Sequence, residues 1–383
     1  MLNNQKELFL LPDDVTYLNG AFMSPLLKST VDIGHQAILQ KSTPFQITQN
    51  DFFEIPRQLK QSFAELVDVP DYQNIAIIPS ASYGMAIVTN NITIKKGQEI
   101  LLIKDQFSSH VYAWRELAKE QEGSIITVDP PNTFEHRGKK WNQQILDAIN
   151  KNTAVVAISI LLWTDGTLFD IAAIRAKTKY YGAKLILDGT QAIGAMPFSV
   201  HQIQPDALIV AGYKWLMGPY STGVAYFSDE FCDGKPIEEN WINRAHSQDF
   251  SRLSHYQDEY QPKAARFSVG ESSNFALNPM LNDGIRQLIR WQPSRIQAYC
   301  HSISAAAIDS LREMGFFVED SQYRGHHLLG LYLPENKSLD KLKAKLAENK
   351  IYVSFRQQAI RVSPNVYNSV EDFERLVQVI REV

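Results

Sequence analysis

From Asn74 to Phe227, short apolar runs rich in β-branched residues alternate with longer amphipathic stretches, which restricts this chain to few folds. The runs suit strands and the intervening stretches suit helices, so the pattern predicts an α/β domain with a largely parallel sheet. Strands are expected at Asn74 to Ile78, Glu99 to Ile103, Ser124 to Val128, Ala154 to Ile160, Ala183 to Leu187, Asp206 to Val210 and Gly223 to Phe227. These seven would form one large sheet between helices. Ser228 to Lys263 is polar and aromatic with few periodic signals, the mark of a long irregular segment rather than of a necessary domain boundary.

A helical pattern runs from Asn278 to about Met314, interrupted at Pro293, and two strand-helix units follow. Their strands include Ile351 to Phe355 and Ala359 to Val362, and the last helix begins after Ser369, an N-cap followed by acids that suit the helix dipole. The expected organisation is a large domain over residues 15–292 and a smaller α/β C-terminal domain over residues 293–383, joined by residues 1–14. A chain of 383 residues has ample length for such a core.

Charge and cysteine content narrow the partners. The formal net charge is −4 with both signs interspersed, so neither nucleic acid nor an anionic membrane is expected, and a small molecule is. The opening MLNNQKELFLLPDD lacks the basic and apolar regions of a secretory signal, and no apolar run is long enough to span a bilayer. A cytoplasmic location is expected. Cys232 and Cys300 form no CxxC pair, so neither a disulfide framework nor a metal site is expected.

The segment DALIVAGYKWLMGPYSTG, residues 206–223, ends a buried-strand pattern with Lys214 held between Tyr213 and Trp215. Desolvation lowers a lysine's pKa, and a lysine that can shed its proton is a nucleophile able to form a Schiff base with a carbonyl. That points to a pyridoxal phosphate (PLP) enzyme; a snorkelling strand-end lysine is the competing reading.

In open α/β sheets ligands bind beyond the carboxyl ends of the strands, so residues that follow several strands should converge. After the first strand, Pro79-Ser80-Ala81-Ser82-Tyr83-Gly84 opens a helix whose free N–H groups suit a phosphate, although a plain serine N-cap explains it too. After the second, Phe107 could lie against an aromatic cofactor or belong to the core, and His110 is a candidate rim residue. Asp188 ends the fifth strand, where it could cap a helix or face a pyridine nitrogen; a close charge pair of that kind is worth about 4 kcal/mol, or about three pK units. The joint occurrence of these residues favours the cofactor reading.

With these motifs in view, nearly the whole chain resembles the class V aminotransferase superfamily, the fold type I PLP-dependent enzymes that include cysteine desulfurases, kynureninases and isopenicillin N epimerase-like proteins. The resemblance implies that Lys214 in GYKWLMGP is the Schiff-base lysine and Asp188 in LDGTQ the pyridinium partner, with Gln191 on the phenolic oxygen. It implies phosphate contacts from Ala81, Ser82 and Tyr213, ring stacking by Phe107, and a substrate carboxylate on Arg361 of IRVSPNVYNS. The turn RFSVGESSNF resembles one that reaches the neighbouring subunit's cofactor, which implies a homodimer with Ser272 or Ser273 in that role. Asn19 and Ala21 of YLNGA resemble a loop bordering the substrate.

Three departures stand out: Ala211 where desulfurases carry a phosphate-binding serine, Trp163 in the place of an asparagine, and no cysteine between Arg324 and Arg361. The last disfavours standard cysteine desulfuration. The expected function is therefore a PLP-dependent enzyme acting on an amino acid, as a class V aminotransferase, with Lys214 moving the α-proton. Alternatives are a cystine or cysteine lyase, an epimerase, or a non-catalytic PLP-binding regulator or carrier. No GxGxxG follows the first strand, which argues against a nicotinamide enzyme.

Overall fold

The computed structural model describes residues 2–356 and 358–383. Seven strands form the large sheet: β1 (Ile75–Ile78), β2 (Glu99–Ile103), β3 (Ser124–Val128), β4 (Thr153–Ser159), β5 (Lys184–Asp188), β6 (Ala207–Ala211) and β7 (Gly223–Phe227). Their spatial order is β1-β7-β6-β5-β4-β2-β3. All seven strands expected for this sheet are present, within a residue at each end.

The apolar runs read as strands because both faces of the sheet are covered. Leu101 and Ile103 of β2 and Leu185 and Leu187 of β5 belong to one buried cluster; the alternate residues Ile100, Leu102 and Ile186 belong to a second on the opposite face. One strand departs from the parallel pattern: β7 runs antiparallel to both β6 and β1. Only residues 212–222 join β6 to β7, too few for the helical crossover that a parallel neighbour requires.

Helices α1 (Lys28–Ser42) and α2 (Asp51–Leu66) precede the sheet, and α3 (Ala81–Asn90) follows β1. Residues 228–263 hold no helix or strand beyond short 3-10 turns. The long helical stretch divides into α4 (Leu277–Trp291) and α5 (Pro293–Glu313) at Gln292, whose φ is 65°, with Pro293 opening the second helix.

A small antiparallel sheet follows, ordered β9-β10-β8, from β8 (Leu329–Tyr332), β9 (Ser354–Arg356) and β10 (Ala359–Val362). The strand expected over Ile351 to Phe355 is in fact two: Ile351–Tyr352 pairs in parallel with Thr16–Tyr17, and β9 starts after Val353. An N-terminal partner captures the first half and the β10 hairpin the second. Further bonds tie the same arm to the C-terminal part: Gln5 N–H donates to the Val366 carbonyl (2.8 Å) and Asn4 Nδ2 to that of Asn368 (2.9 Å). In the last helix, Val370–Arg381, the Ser369 N–H donates to the Asp372 carboxylate (3.1 Å).

Among the described residues no helix is long and apolar enough to cross a membrane.

Candidate active site

The carboxyl ends of β1, β4, β5 and β6 open onto a cavity of about 290 Å³. Ala81, Ser82, Phe107, Asp188, Gln191, Tyr213 and Lys214, all singled out from the sequence, line it.

Lys214 sits in the β6–β7 connection, which backbone bonds close tightly: Gly212 N–H donates to the Thr222 carbonyl (2.9 Å), Gly218 N–H to Gly212 (2.9 Å) and Met217 N–H to Lys214 (3.0 Å). Its neighbours anchor it. Trp215 is buried and its Nε1 donates to Gln191 Oε1 (2.8 Å), while Tyr213 packs on Tyr220 with ring centroids 4.6 Å apart. The Lys214 ammonium lies 5.3 Å from the Phe107 ring centroid and 5.4 Å from that of Tyr213. Burial pushes its pKa down to about 8, against the pull of Asp188, with Arg361 and Arg356 adding to the depression.

Asp188 is the last residue of β5 and stands beside Ser159 in register. One carboxylate oxygen accepts the Thr190 N–H (2.8 Å). Its charge also opposes the depressed pKa of His110, which burial takes down to about 4. His110 is therefore no rim residue: it is buried, edge-on to Trp114, and neither ring nitrogen has a partner among the described residues. The 3-10 turn Ser108–His110 folds it under the loop while Phe107 stays at the surface of the cavity.

At the start of α3, Ser80 Oγ accepts the Tyr83 N–H (3.2 Å) and lies 2.9 Å from Ser82 Oγ. The N–H groups of Ala81 and Ser82 precede the first intrahelical bond and face the cavity end of the helix. Gly84 permits this close seat, since a Cβ there would come within 2.7 Å of Ile209 on β6. The sequence reading missed two cavity hydroxyls, Ser159 Oγ and Thr222 Oγ1, both buried and without a partner among the described residues. Their position at strand ends was the available signal.

Arg361, Asn19 and Ala21 do not line the cavity but are linked to it. Arg361 is buried; its Nη1 donates to the Trp163 carbonyl (2.9 Å) and its Nη2 to Ser354 Oγ (3.2 Å). Ser354 Oγ in turn donates to Asn19 Oδ1 (2.7 Å), and Trp163 forms a cavity wall edge-on to Phe107. Gln191 Nε2 donates to the Ala21 carbonyl (3.1 Å). Ser272 and Ser273 lie elsewhere, Ser273 donating to the Phe52 carbonyl (2.6 Å) beside a separate groove of about 780 Å³.

Comparison with known proteins adds to this geometry. The uncharacterized aminotransferase YcbU of Bacillus subtilis (strain 168) is 22% identical over 370 residues, spanning 94% of this chain and 91% of that protein. In structure the chain is similar to the cysteine desulfurase CsdA of Escherichia coli, at a TM-score of 0.82 and 17% identity over 98% of this chain and 96% of the other. It is also similar to a C-DES variant with glycine covalently linked to its PLP cofactor, at a TM-score of 0.85 and 19% identity over 98% of both chains. The family model for aminotransferase class-V matches residues 46–376, and the chain belongs to that family.

Proposed function

We propose that this chain is a PLP-dependent enzyme acting on an amino acid, as a class V aminotransferase. The observation that carries the reading is a buried lysine of depressed pKa sharing one cavity with a buried carboxylate and the start of α3. The cavity suits the cofactor: its unpartnered hydroxyls, Ser159 and Thr222, and the free N–H groups at Ala81 and Ser82 are the donors that a phosphate and a polar ring need. Ser82 and Tyr213 would add phosphate contacts, Phe107 would cover the ring, and Gln191 would meet the phenolic oxygen. PLP supplies an aldehyde carbon and a ring that takes up the electron pair released at a substrate carbon.

The chain's own residues do the rest. At a pKa of about 8, roughly one Lys214 in ten is a free amine at pH 7, compared with a few in ten thousand for an ordinary lysine. That amine can attack a carbonyl, and once released it accepts and returns a proton at the substrate α-carbon. Asp188 would face the ring nitrogen and favour its protonated form. Arg361 orients the substrate carboxylate, and the Asn19–Ser354–Arg361 bonds keep the guanidinium in place.

A lyase is the second reading, favoured over persulfide chemistry on the protein because Cys232 and Cys300 are both buried. Burial pushes their thiols up to about 11 and about 12, away from reactive thiolates. We further propose a cytoplasmic homodimer in which Ser272 or Ser273 serves the partner's cavity. Exposed Ile38 and Trp241 beside the groove near Ser273 support a covered face there.

The test is the visible absorbance of protein mixed with PLP, followed on addition of amino acids with keto acid, ammonia and sulfide assayed. A lysine-dependent band, lost in Lys214→Ala, that bleaches with keto acid and no ammonia establishes the aminotransferase. Ammonia or sulfide establishes the lyase, a band indifferent to every amino acid favours a different amine substrate or a regulator or carrier role, and no band refutes the reading.

A further inference from the structure

The β9–β10 hairpin brings two arginines against Trp163, which lines the cavity although neither arginine does. Residues two apart on a strand share a face, as do directly paired residues on neighbouring strands. Ser354 pairs with Arg361 and Arg356 with Ala359, so Ser354, Arg356 and Arg361 project to one side. That side meets Trp163: the guanidinium carbons of Arg356 and Arg361 lie 5.1 Å and 5.9 Å from its ring centroid.

Neither arginine belongs to those that form an ion pair with a carboxylate among the described residues. Each disfavours the protonated form of Lys214, and Arg356 disfavours the charge on Arg361. Like charges gathered at a low-dielectric wall destabilise one another until an anion arrives. One substrate carboxylate on Arg361 offsets only one of them. Arg356 keeps donors to spare: its Nη1 donates to its neighbour's carbonyl, Phe355 O (2.8 Å), and its Nε is buried without a partner among the described residues. An arginine with an unpartnered Nε, its guanidinium 5.1 Å from an aromatic centroid, has donors left for a second carboxylate.

We propose that Arg356 is a specificity-determining residue that receives an anionic side-chain group, so that the substrates are dicarboxylic amino acids of the aspartate and glutamate class. This rests on the PLP-dependent reading above.

The test compares kcat/KM of the PLP-loaded enzyme for aspartate against asparagine and glutamate against glutamine, pairs alike in shape and different in charge. The expected result is an acid preference of about tenfold or more, carried mainly by KM, as a charge-matched site should give. Arg356→Gln should abolish the preference and Arg356→Lys should keep part of it, a rescue that a purely structural role would not produce. Calorimetry gives a readout free of turnover: succinate or glutarate should bind about tenfold more tightly than butyrate, and Arg356→Gln should remove the difference. Equal acid and amide values in the wild type, or a preference untouched in Arg356→Gln, overturns the proposal. If the band with PLP forms on Lys214 while the preference is absent, only the acid specificity falls; if no band forms, the PLP reading falls and this proposal with it.

Discussion

Lys214→Met, in protein stripped of PLP, should make the fold more stable. Methionine is unbranched like lysine, one atom shorter, and carries no charge. An ammonium that titrates at 10.5 in water but at about 8 in this buried site destabilises the fold by about 3 kcal/mol at pH 7. The sign follows from proton binding: between about pH 8 and 10.5 the unfolded chain holds this proton more strongly than the folded one. Stability therefore rises with pH through that window, and below it the whole penalty remains. The variant lacks the penalty at every pH. Urea unfolding of both proteins between pH 7 and 11 should show the variant ahead by about 2–3 kcal/mol at pH 7, with the gap narrowing from about pH 8 and gone above about pH 10.5. Other titrating groups are shared and cancel in the difference. Equal stability at pH 7, or a gap that does not change with pH, would refute the argument that burial sets the pKa of Lys214.

Two further outcomes test the residues around it. Asp188→Asn should keep the PLP band while lowering kcat by a factor of about 100 or more, since the buried charge is removed and the shape kept; full activity in a kinetic assay ends its proposed role. Arg361→Ala should raise KM for amino acids and cut kcat/KM by about 2–4 kcal/mol, the scale for truncating one partner of a buried charged pair, and an unchanged KM would move carboxylate recognition elsewhere.

The large sheet was legible because its strands are apolar on both faces, as Ile100 to Ile103 illustrate, and such runs stand out from amphipathic helices. The reversal of β7 was not, because Gly223 to Phe227 carries the same pattern in either direction and only the shortness of the connection records it. Nor could the sequence show that Ile351 and Tyr352 pair with Thr16 and Tyr17, since a parallel pair so far apart leaves no local signature. In the site, Lys214, Asp188 and Phe107 could be singled out because each is chemically out of place after a strand. His110 looked equally exposed, and only the 3-10 turn that buries it tells the two aromatic residues apart. Arg356 passed unnoticed because its meaning depends on the register that lays it beside Arg361 and over Trp163.

The pairing of the N-terminal arm with the C-terminal part also sets an order of events during synthesis. Asn19 and Ser354, which share a hydrogen bond beneath Arg361, are 335 residues apart. At about 5–20 residues per second a ribosome takes roughly 17–70 s to cover that distance, and until then the arm is without its partner strand. Asp188, at the end of β5, and Lys214, in the β6–β7 connection, lie far earlier in the chain and can come together well before this. A nascent chain can therefore bring Lys214 and Asp188 together while the region proposed to select the substrate does not yet exist.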